Sequence, residues 1–210
     1  MAETVQPPEP RSGRGPVMSQ LDEGTVVSLA QDGDLAAFEH LVDLYQGRLY
    51  RLAYRMLGDR GEAEDVVQET LVAGWRVPPE LERATSFGGW VYRTATNRCL
   101  DILRRRTLHP EWSIDESDTG GGGLAALDIR TGSLRGMDPH HAAEVSAELE
   151  SLSRALALLP ADLRACWLLR EVHDQSYEQI GAALRIGPTT VRGRLARARE
   201  RLAEAMIQWQ

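Results

Sequence analysis

The side chains best suited to chemistry in this sequence are arginines gathered near the C-terminus. Between Ser176 and Met206 there are six arginines and three glutamates, a local charge of +3 in a chain of net charge −7. Guanidinium groups bind phosphates and base edges, and nucleic-acid binding depends on such local patches rather than on total charge. The chemistry indicated is therefore binding to a nucleic acid.

Two helices joined by a tight turn are predicted to position these arginines. Ser176-Tyr177-Glu178-Gln179 has the form of a capping box, and Arg185-Ile186-Gly187 has the right length for the turn. Pro188 then begins a second helix, whose apolar side carries Val191, Leu195, Ala198 and Leu202. This pattern is typical of a helix-turn-helix whose second helix enters the major groove of DNA. An amphipathic helix with a solvated basic face is the alternative.

A second basic segment lies in the middle of the chain. Residues Arg93 to Arg106 contain five arginines and one aspartate, a local charge of +4. Phe87, Trp90 and Tyr92 lie near the start of the same predicted helix. Basic groups beside aromatic rings can hold a DNA backbone and stack bases. Aromatic residues at helical spacing are also common in protein cores, and that interpretation stays open for Trp90.

The helix before this segment has the opposite character. Glu62, Glu64, Asp65 and Glu69 make it acidic, so it is expected to repel DNA and to suit a basic protein surface. A solvated acidic face is the alternative.

The sequence contains no pattern typical of an enzyme. It has no nucleophile–base pair, no Gly-rich phosphate loop and no paired carboxylates in a basic segment, which argues against a nuclease. His140-His141 has no partner at metal-ligand spacing, so neither a metal nor another cofactor is expected. Cys99 and Cys166 form no CxxC pair and are interpreted as small buried apolar residues, although a disulfide redox switch stays open.

Targeting signals are also missing from the sequence. No stretch reaches the roughly 18 consecutive apolar residues of a membrane span, so no membrane insertion is expected. The Pro-rich segment from Met1 to Ser19 lacks the apolar core of a secretory signal, which predicts a disordered tail and a cytoplasmic location. Met18 is an alternative translation start.

Apolar residues recur at helical spacing through most of the chain, which predicts an all-α fold of two small helical bundles. Residues 107–147 carry seven acids, two arginines and the run Gly120 to Gly123, typical of a flexible acidic linker. The predicted division is 1–19 tail, 20–106 first domain, 107–138 linker and 139–210 second domain. The predicted helices cover residues 21–31, 35–57, 61–75, 86–106, 140–158, 161–172, 177–184 and 188–206.

Several segments resemble extracytoplasmic-function sigma factors of bacterial RNA polymerase. Ala63 to Arg76 and Phe87 to Asp101 resemble region 2 of that family. Leu158-Leu159-Pro160 and Ser176 to Leu202 resemble region 4. The resemblance extends over nearly the whole chain from about Leu21 to Met206, in the family's order.

The resemblance implies a role for each segment. The acidic helix is expected to bind core RNA polymerase through Asp65, Gln68 and Glu69. The mid-chain helix is expected to bind the −10 promoter element and hold an extruded base. The helix-turn-helix is expected to bind the −35 element as duplex DNA. The residues implied at the −10 element are Phe87, Trp90, Arg93, Asn97, Arg98, Arg104 and Arg105, and those at the −35 element are Ser176, Tyr177, Thr189, Thr190, Arg192, Arg194 and Arg197.

The resemblance therefore implies a sigma factor that directs promoter-specific initiation, with core polymerase, promoter DNA and an anti-sigma protein as partners. The alternative is a helix-turn-helix regulator that binds operator DNA without polymerase.

Two positions depart from the family pattern. Arg185 stands where the family usually has Gly in the turn, and Gly193 stands where it usually has Ser in the second helix.

Overall fold

The computed structural model describes residues 18–75, 87–108 and 152–207. Every regular element within these ranges is helical, which confirms the predicted all-α fold class. The first half contains a 3₁₀ turn (Met18–Gln20), α1 (Glu23–Gln31), α2 (Leu35–Leu57), α3 (Arg60–Trp75) and α4 (Phe87–Leu108). The second half contains α5 (152–158), α6 (Ala161–Trp167) with a π-helical extension (Leu168–Val172), α7 (Tyr177–Leu184) and α8 (Pro188–Ile207).

Helix α2 has the predicted bounds because both of its ends are set by local chemistry. The Asp34 carboxylate accepts hydrogen bonds from the amides of Ala36 at 2.9 Å and Ala37 at 3.2 Å, which satisfies donors at the helix N-terminus. Gly58 ends the helix in the left-handed region, with φ of 72°, which costs glycine little.

The first half is built around α2. Helices α1, α3 and α4 all pack against it. Burial of the apolar side chains between these helices is the main stabilisation of the bundle, since most helical stability in proteins comes from the packing of an apolar face. The largest fully buried side chains of this core are Val26, Leu41, Leu49, Leu52, Met56, Val66, Phe87 and Val91.

The apolar core continues into the second half. Helix α8 packs against α6 and α7, so the two helices of the helix-turn-helix are supported by the preceding segment. Its fully buried side chains include Leu168, Leu169, Ile180 and Leu195.

The two halves also contact each other. Helix α4 packs against α7, and Tyr92 Oη and His173 Nδ1 are joined by a hydrogen bond of 3.2 Å. Arg164 on α6 donates from Nη1 to the backbone oxygen of Met56 at 2.6 Å. That oxygen lies in the last turn of α2, where carbonyls lack helical partners and the helix dipole favours a cation.

Several predicted boundaries shift in the structure. Helix α1 begins at Glu23 rather than at Leu21, because Asp22 is its N-cap. Helix α4 continues to Leu108, so residues 107–108 belong to the helix and not to the linker. Met18 and Ser19, which were predicted to lie in the tail, lie in the 3₁₀ turn. The rest of the predicted tail (1–17), most of the linker and residues 140–151 of a predicted helix lie outside the described residues.

Candidate nucleic-acid interface

The helix-turn-helix is held by a complete capping box at the start of α7. The Ser176 hydroxyl accepts from the Gln179 amide at 3.2 Å, and the Ser176 amide donates to the Gln179 side chain at 2.7 Å. The side chain of Ser176 is therefore used to begin the helix. Its contact with the −35 element stays a prediction.

The turn between α7 and α8 depends on two backbone features. Arg185 adopts the left-handed region with φ of 55°, an unusual conformation for a residue with a side chain. A Cβ atom at Gly181 would lie 2.7 Å from the Ile186 backbone oxygen, so only glycine permits this close approach. Arg185 adopts the backbone conformation of this turn although it is not a glycine. The absence of a Cβ atom at Gly181 leaves room for the Ile186 backbone oxygen.

Helix α8 has a buried side and an outward side. Val191, Leu195, Ala198 and Leu202 are buried, as predicted from their spacing. The outward residues supply hydroxyls and positive charge at the N-terminal end of the helix, the end that contacts base edges in helix-turn-helix proteins. The exposed members of the predicted −35 set are Thr189, Thr190, Arg192 and Arg197.

Tyr177 lies between two guanidinium groups. The Arg170 guanidinium carbon is 5.1 Å from the centre of the Tyr177 ring, and that of Arg192 is 5.8 Å from it. Each cation attracts the face of the ring, so the three side chains hold one another in place. Arg170 lies in the π-helical turn, outside the helix-turn-helix pattern, so the sequence pattern does not mark it.

Arg194 does not share the exposed basic surface. Its side chain is 23% exposed, and Nη2 lies 3.3 Å from a carboxylate oxygen of Asp162 on α6. Arg194 therefore joins α8 to α6, and its contact with DNA stays a prediction.

The residues predicted at the −10 element are divided between core and surface. Phe87 is 2% exposed and packs edge-on against Tyr45. Phe87 therefore belongs to the core of the first half, and its contact with the −10 element stays a prediction. Trp90 is half-buried and stacks on Phe87, with ring centres 6.2 Å apart.

The polar members of the −10 set lie farther along α4. Arg93, Asn97 and Arg98 are half-buried, whereas Arg104 and Arg105 are exposed. Arg98 forms an ion pair with Glu69, and Arg104 pairs with Asp101 at 2.6 Å. Exposed ion pairs contribute little stability and can exchange for phosphates.

Arg106 differs from the other arginines at the end of α4. It donates to the Leu57 backbone oxygen at 2.9 Å and to Glu62 at 2.6 Å, and both contacts are partly buried. It caps the C-terminus of α2 from the neighbouring helix. The arginine run therefore serves the fold as well as a charged surface.

Glu23 is a further residue that the sequence analysis missed. Its carboxylate accepts from Tyr45 Oη at 2.7 Å and from the Gly88 amide at 3.1 Å, at the first turn of α4. The residue thereby fixes the start of the helix that carries the −10 set. No spacing signal connects positions so far apart in the chain.

Helix α3 presents the acidic surface that the sequence predicts. Asp65, Gln68 and Glu69 are exposed on one side, while Ala63 and Val66 are buried on the other. Val72 lies one turn beyond Gln68 and is 66% exposed. The face therefore combines negative charge with an apolar position that the charge pattern did not identify.

The two cysteines are buried and free of disulfides. Burial raises the pKa of the Cys99 thiol to about 12 and that of the Cys166 thiol to about 11, so both are protonated at neutral pH. This agrees with their interpretation as small core residues. In the described part of the chain, no group of three or more His, Cys, Asp or Glu side chains is arranged to hold a metal ion.

None of the described helices is both long and apolar enough to cross a membrane.

Two family models match the chain in the order of its two halves. The model for Sigma-70 region 2 matches residues 41–108, which contain most of α2 together with α3 and α4. The model for Sigma-70 region 4 matches residues 149–202, which contain the helix-turn-helix.

Curated relatives cover most of the chain. The ECF RNA polymerase sigma factor SigW of Bacillus subtilis is 32% identical over 181 residues, 86% of this chain and 94% of that protein. The RNA polymerase sigma-H factor of Pseudomonas aeruginosa is 30% identical over 194 residues, 90% and 96% of the two chains. The ECF RNA polymerase sigma factor SigE of Mycolicibacterium smegmatis is 34% identical over 180 residues, but the match spans only 65% of that longer protein.

Solved structures share the fold. The sigma factor RpoE of Bartonella quintana, in complex with the anti-sigma factor NepR, has a TM-score of 0.59 and 25% identity over 80% of this chain and 96% of that one. CnrH, in complex with the cytosolic domain of CnrY, also has a TM-score of 0.59, with 23% identity over 89% of this chain and 97% of its own. With its acidic α3, its basic helix-turn-helix and these relatives, the chain belongs to the ECF RNA polymerase sigma factor family.

Proposed function

We propose that this protein binds core RNA polymerase through α3 and brings it to promoters whose −10 and −35 elements contact α4 and α8. The observation that carries this proposal is the presence of an exposed acidic face and an exposed basic helix-turn-helix on one chain. DNA repels the first surface and attracts the second, so two partners of different charge are required.

The proposed polymerase surface is Asp65, Gln68 and Glu69, with Val72 at its edge. The first three residues follow helical spacing and are exposed together. A basic, partly apolar helix of the polymerase fits this face, since apolar contact excludes water around the charge pairs.

The proposed −10 surface consists of the exposed and half-buried side chains of α4. Trp90 offers a ring for stacking, and the arginines offer charge for the backbone. Unstacking the extruded base costs a few kcal/mol of free energy. Stacking of that base on an aromatic ring offsets part of this cost. The residues retained for this surface are Trp90, Arg93, Asn97, Arg98, Arg104 and Arg105.

The proposed −35 surface is the outward side of α8 with the stacked Tyr177. Hydroxyls at Thr189 and Thr190 can bond base edges or phosphates, and Arg192 and Arg197 flank them. Ser176 supports this surface through the capping box.

The rival assignment, an operator-binding regulator that works without polymerase, is not favoured. It leaves the acidic face of α3 and the region 2 match without a function.

We infer further that an anti-sigma protein regulates the chain, because the Bartonella quintana relative of similar fold was solved with one. The protein is proposed to act without catalytic activity or a cofactor of its own, and in the cytoplasm, where promoter DNA lies.

The division of the chain into a first domain (20–106), a linker (107–138) and a second domain (139–210) is also a proposal. Far-ultraviolet circular dichroism of residues 139–210 tests that division, which predicts a cooperative thermal transition.

A footprint on promoter DNA separates the two functional assignments. The chain with core polymerase is expected to protect both promoter elements of a target gene, whereas the chain alone protects neither fully. An operator-binding regulator would instead protect its site without polymerase, and that result would contradict the proposal.

A further inference from the structure

Gly193 is a glycine inside α8 that nothing in the described chain requires. A Cβ atom built at this position meets no atom within 4 Å, and the residue is exposed. Its backbone φ is not in the left-handed region. Glycine is the least favourable residue after proline in a helix interior, so its presence here weakens the helix without relieving any clash.

Two other glycines near functional elements have local reasons, whereas Gly187 in the turn, like Gly193, has no atom within 4 Å of an added Cβ. At Gly181 a Cβ atom would lie 2.7 Å from a backbone oxygen, and at Gly88 it would lie 2.5 Å from Tyr45 Oη. These positions need glycine for packing within the chain, whereas Gly193 does not.

The position of Gly193 on α8 is distinctive. At 100° per residue, it lies nearly opposite the buried side formed by Val191, Leu195 and Ala198. The residues one turn away on the same side are Thr189, Ala196 and Arg197, and all three are exposed. Around Gly193 the outward face therefore carries two small side chains, Thr189 and Ala196, together with Arg197, whose Nε donates to the Gly193 backbone oxygen at 3.3 Å.

A face of this shape suits close approach to DNA. A helix with its side chains is about 10–12 Å wide, and the major groove is about 12 Å wide, so depth of entry depends on side-chain length at the centre of the face. Glycine at the centre of the outward face lets the helix backbone come within contact distance of base edges. Arg192 and Arg197 lie on either side of this position.

We propose that Gly193 is a specificity-determining residue, which selects the −35 sequence by allowing the backbone of α8 to lie close against base edges. This proposal rests on the proposed function of α8 at the −35 element. A side chain at position 193 is expected to hold the helix away from the bases that the wild type prefers.

The test compares two glycine-to-alanine variants in reconstituted holoenzyme. Gly193→Ala adds one methyl group to the outward face of α8. Gly47→Ala adds the same group to an exposed, mid-helix site in α2, whose Cβ atom would have Arg51 Nη1 as its nearest neighbour at 3.7 Å. The duplexes are those that wild-type holoenzyme selects from a library randomised at the −35 element.

We expect Gly193→Ala to bind the selected duplex roughly tenfold more weakly than the wild type, the effect of losing one well-fitted base contact. Gly47→Ala is expected to bind as the wild type does. Both variants should keep or raise the melting temperature, because alanine favours the helix. A repeated selection with Gly193→Ala should yield a changed preference at one or two adjacent base pairs.

Unchanged affinity and an unchanged selected sequence for Gly193→Ala would overturn the proposal. A loss shared equally by Gly47→Ala would also overturn it, because the effect would then not be local to α8. Arg192→Ala separates this failure from that of the proposed function. If Arg192→Ala weakens binding while Gly193→Ala does not, α8 binds the −35 element and only the role of Gly193 is wrong.

Discussion

The arginines of the second half contact different partners, although they form one basic run in the sequence. Arg192 is exposed and lies over the Tyr177 ring, while Arg194 is largely buried and pairs with Asp162. Helical spacing alone places the two on opposite flanks of the buried side of α8. Only the packing of α6 decides which of them is free to face DNA.

Arg192→Ala and Arg194→Ala are therefore expected to differ in effect. The first should weaken binding to −35 duplex DNA by roughly 1–3 kcal/mol if its guanidinium contacts a base, with little change in stability. The second should chiefly lower the melting temperature, because it removes a partly buried ion pair. Fluorescence anisotropy with duplex DNA and thermal unfolding of both variants measure the difference. Equal loss of DNA binding in the two variants would contradict the assigned contacts.

The acidic face of α3 is also tested residue by residue. Asp65→Arg should reduce affinity for core polymerase by at least about tenfold, since it replaces attraction by repulsion at the proposed interface. Asp43→Arg on α2 is the matched control, because it makes the same change at another exposed aspartate. Titration of labelled core polymerase measures both affinities. Tight binding by Asp65→Arg would show that the polymerase contacts another surface.

The helices themselves are the part of the structure that the sequence predicts best. Asp34 and Gly58 mark the two ends of α2, and Ser176 with Gln179 marks the start of α7. Caps are local, so they can be identified without knowledge of the tertiary structure. The π-helical extension Leu168–Val172 has no such signal, and it was predicted as ordinary helix.

The capping box at the start of α7 gives a prediction about protein stability. Ser176→Ala should destabilise the protein by about 1 kcal/mol, the usual cost of losing an N-cap hydroxyl. Ser28→Ala within α1 is the control, because an exposed serine inside a helix gains slightly from alanine. Urea unfolding of the two variants gives the free energies. A loss that Ser28→Ala matches would mean that the cap contributes nothing specific.

At the scale of the whole molecule, the contacts between the two halves are what the sequence could not predict. Tyr92 and His173 are far apart in sequence, and each looks like a core residue of its own helix bundle. Arg164 likewise resembles a surface arginine of α6, although it donates to a carbonyl of α2. Such pairs depend on how the bundles meet, and local periodicity carries no information about that arrangement.

His173 makes the packing of the halves sensitive to pH. Burial, together with the charges of Arg55, Arg51 and Arg48, lowers its pKa to about 4 from the usual 6.5. The unfolded chain takes up this proton below about pH 6.5, and the folded chain only near pH 4. Stability from the neutral histidine is therefore present above pH 6.5 and is lost as pH falls towards 4.

We expect the urea midpoint of the wild type to fall between pH 7 and pH 5 more steeply than that of His173→Gln. Glutamine keeps a polar side chain but does not titrate, so the variant lacks this part of the pH dependence. Parallel pH profiles for the two proteins would contradict the assigned protonation.

Run-off transcription shows whether this chain gives RNA polymerase its promoter specificity. Purified core polymerase is combined with the chain and with template DNA that carries a promoter of its own target gene. The account predicts a discrete transcript that requires the chain and that is lost with Asp65→Arg but not with Asp43→Arg. No promoter-specific transcript from the wild-type chain, or an equal transcript without it, would contradict the account.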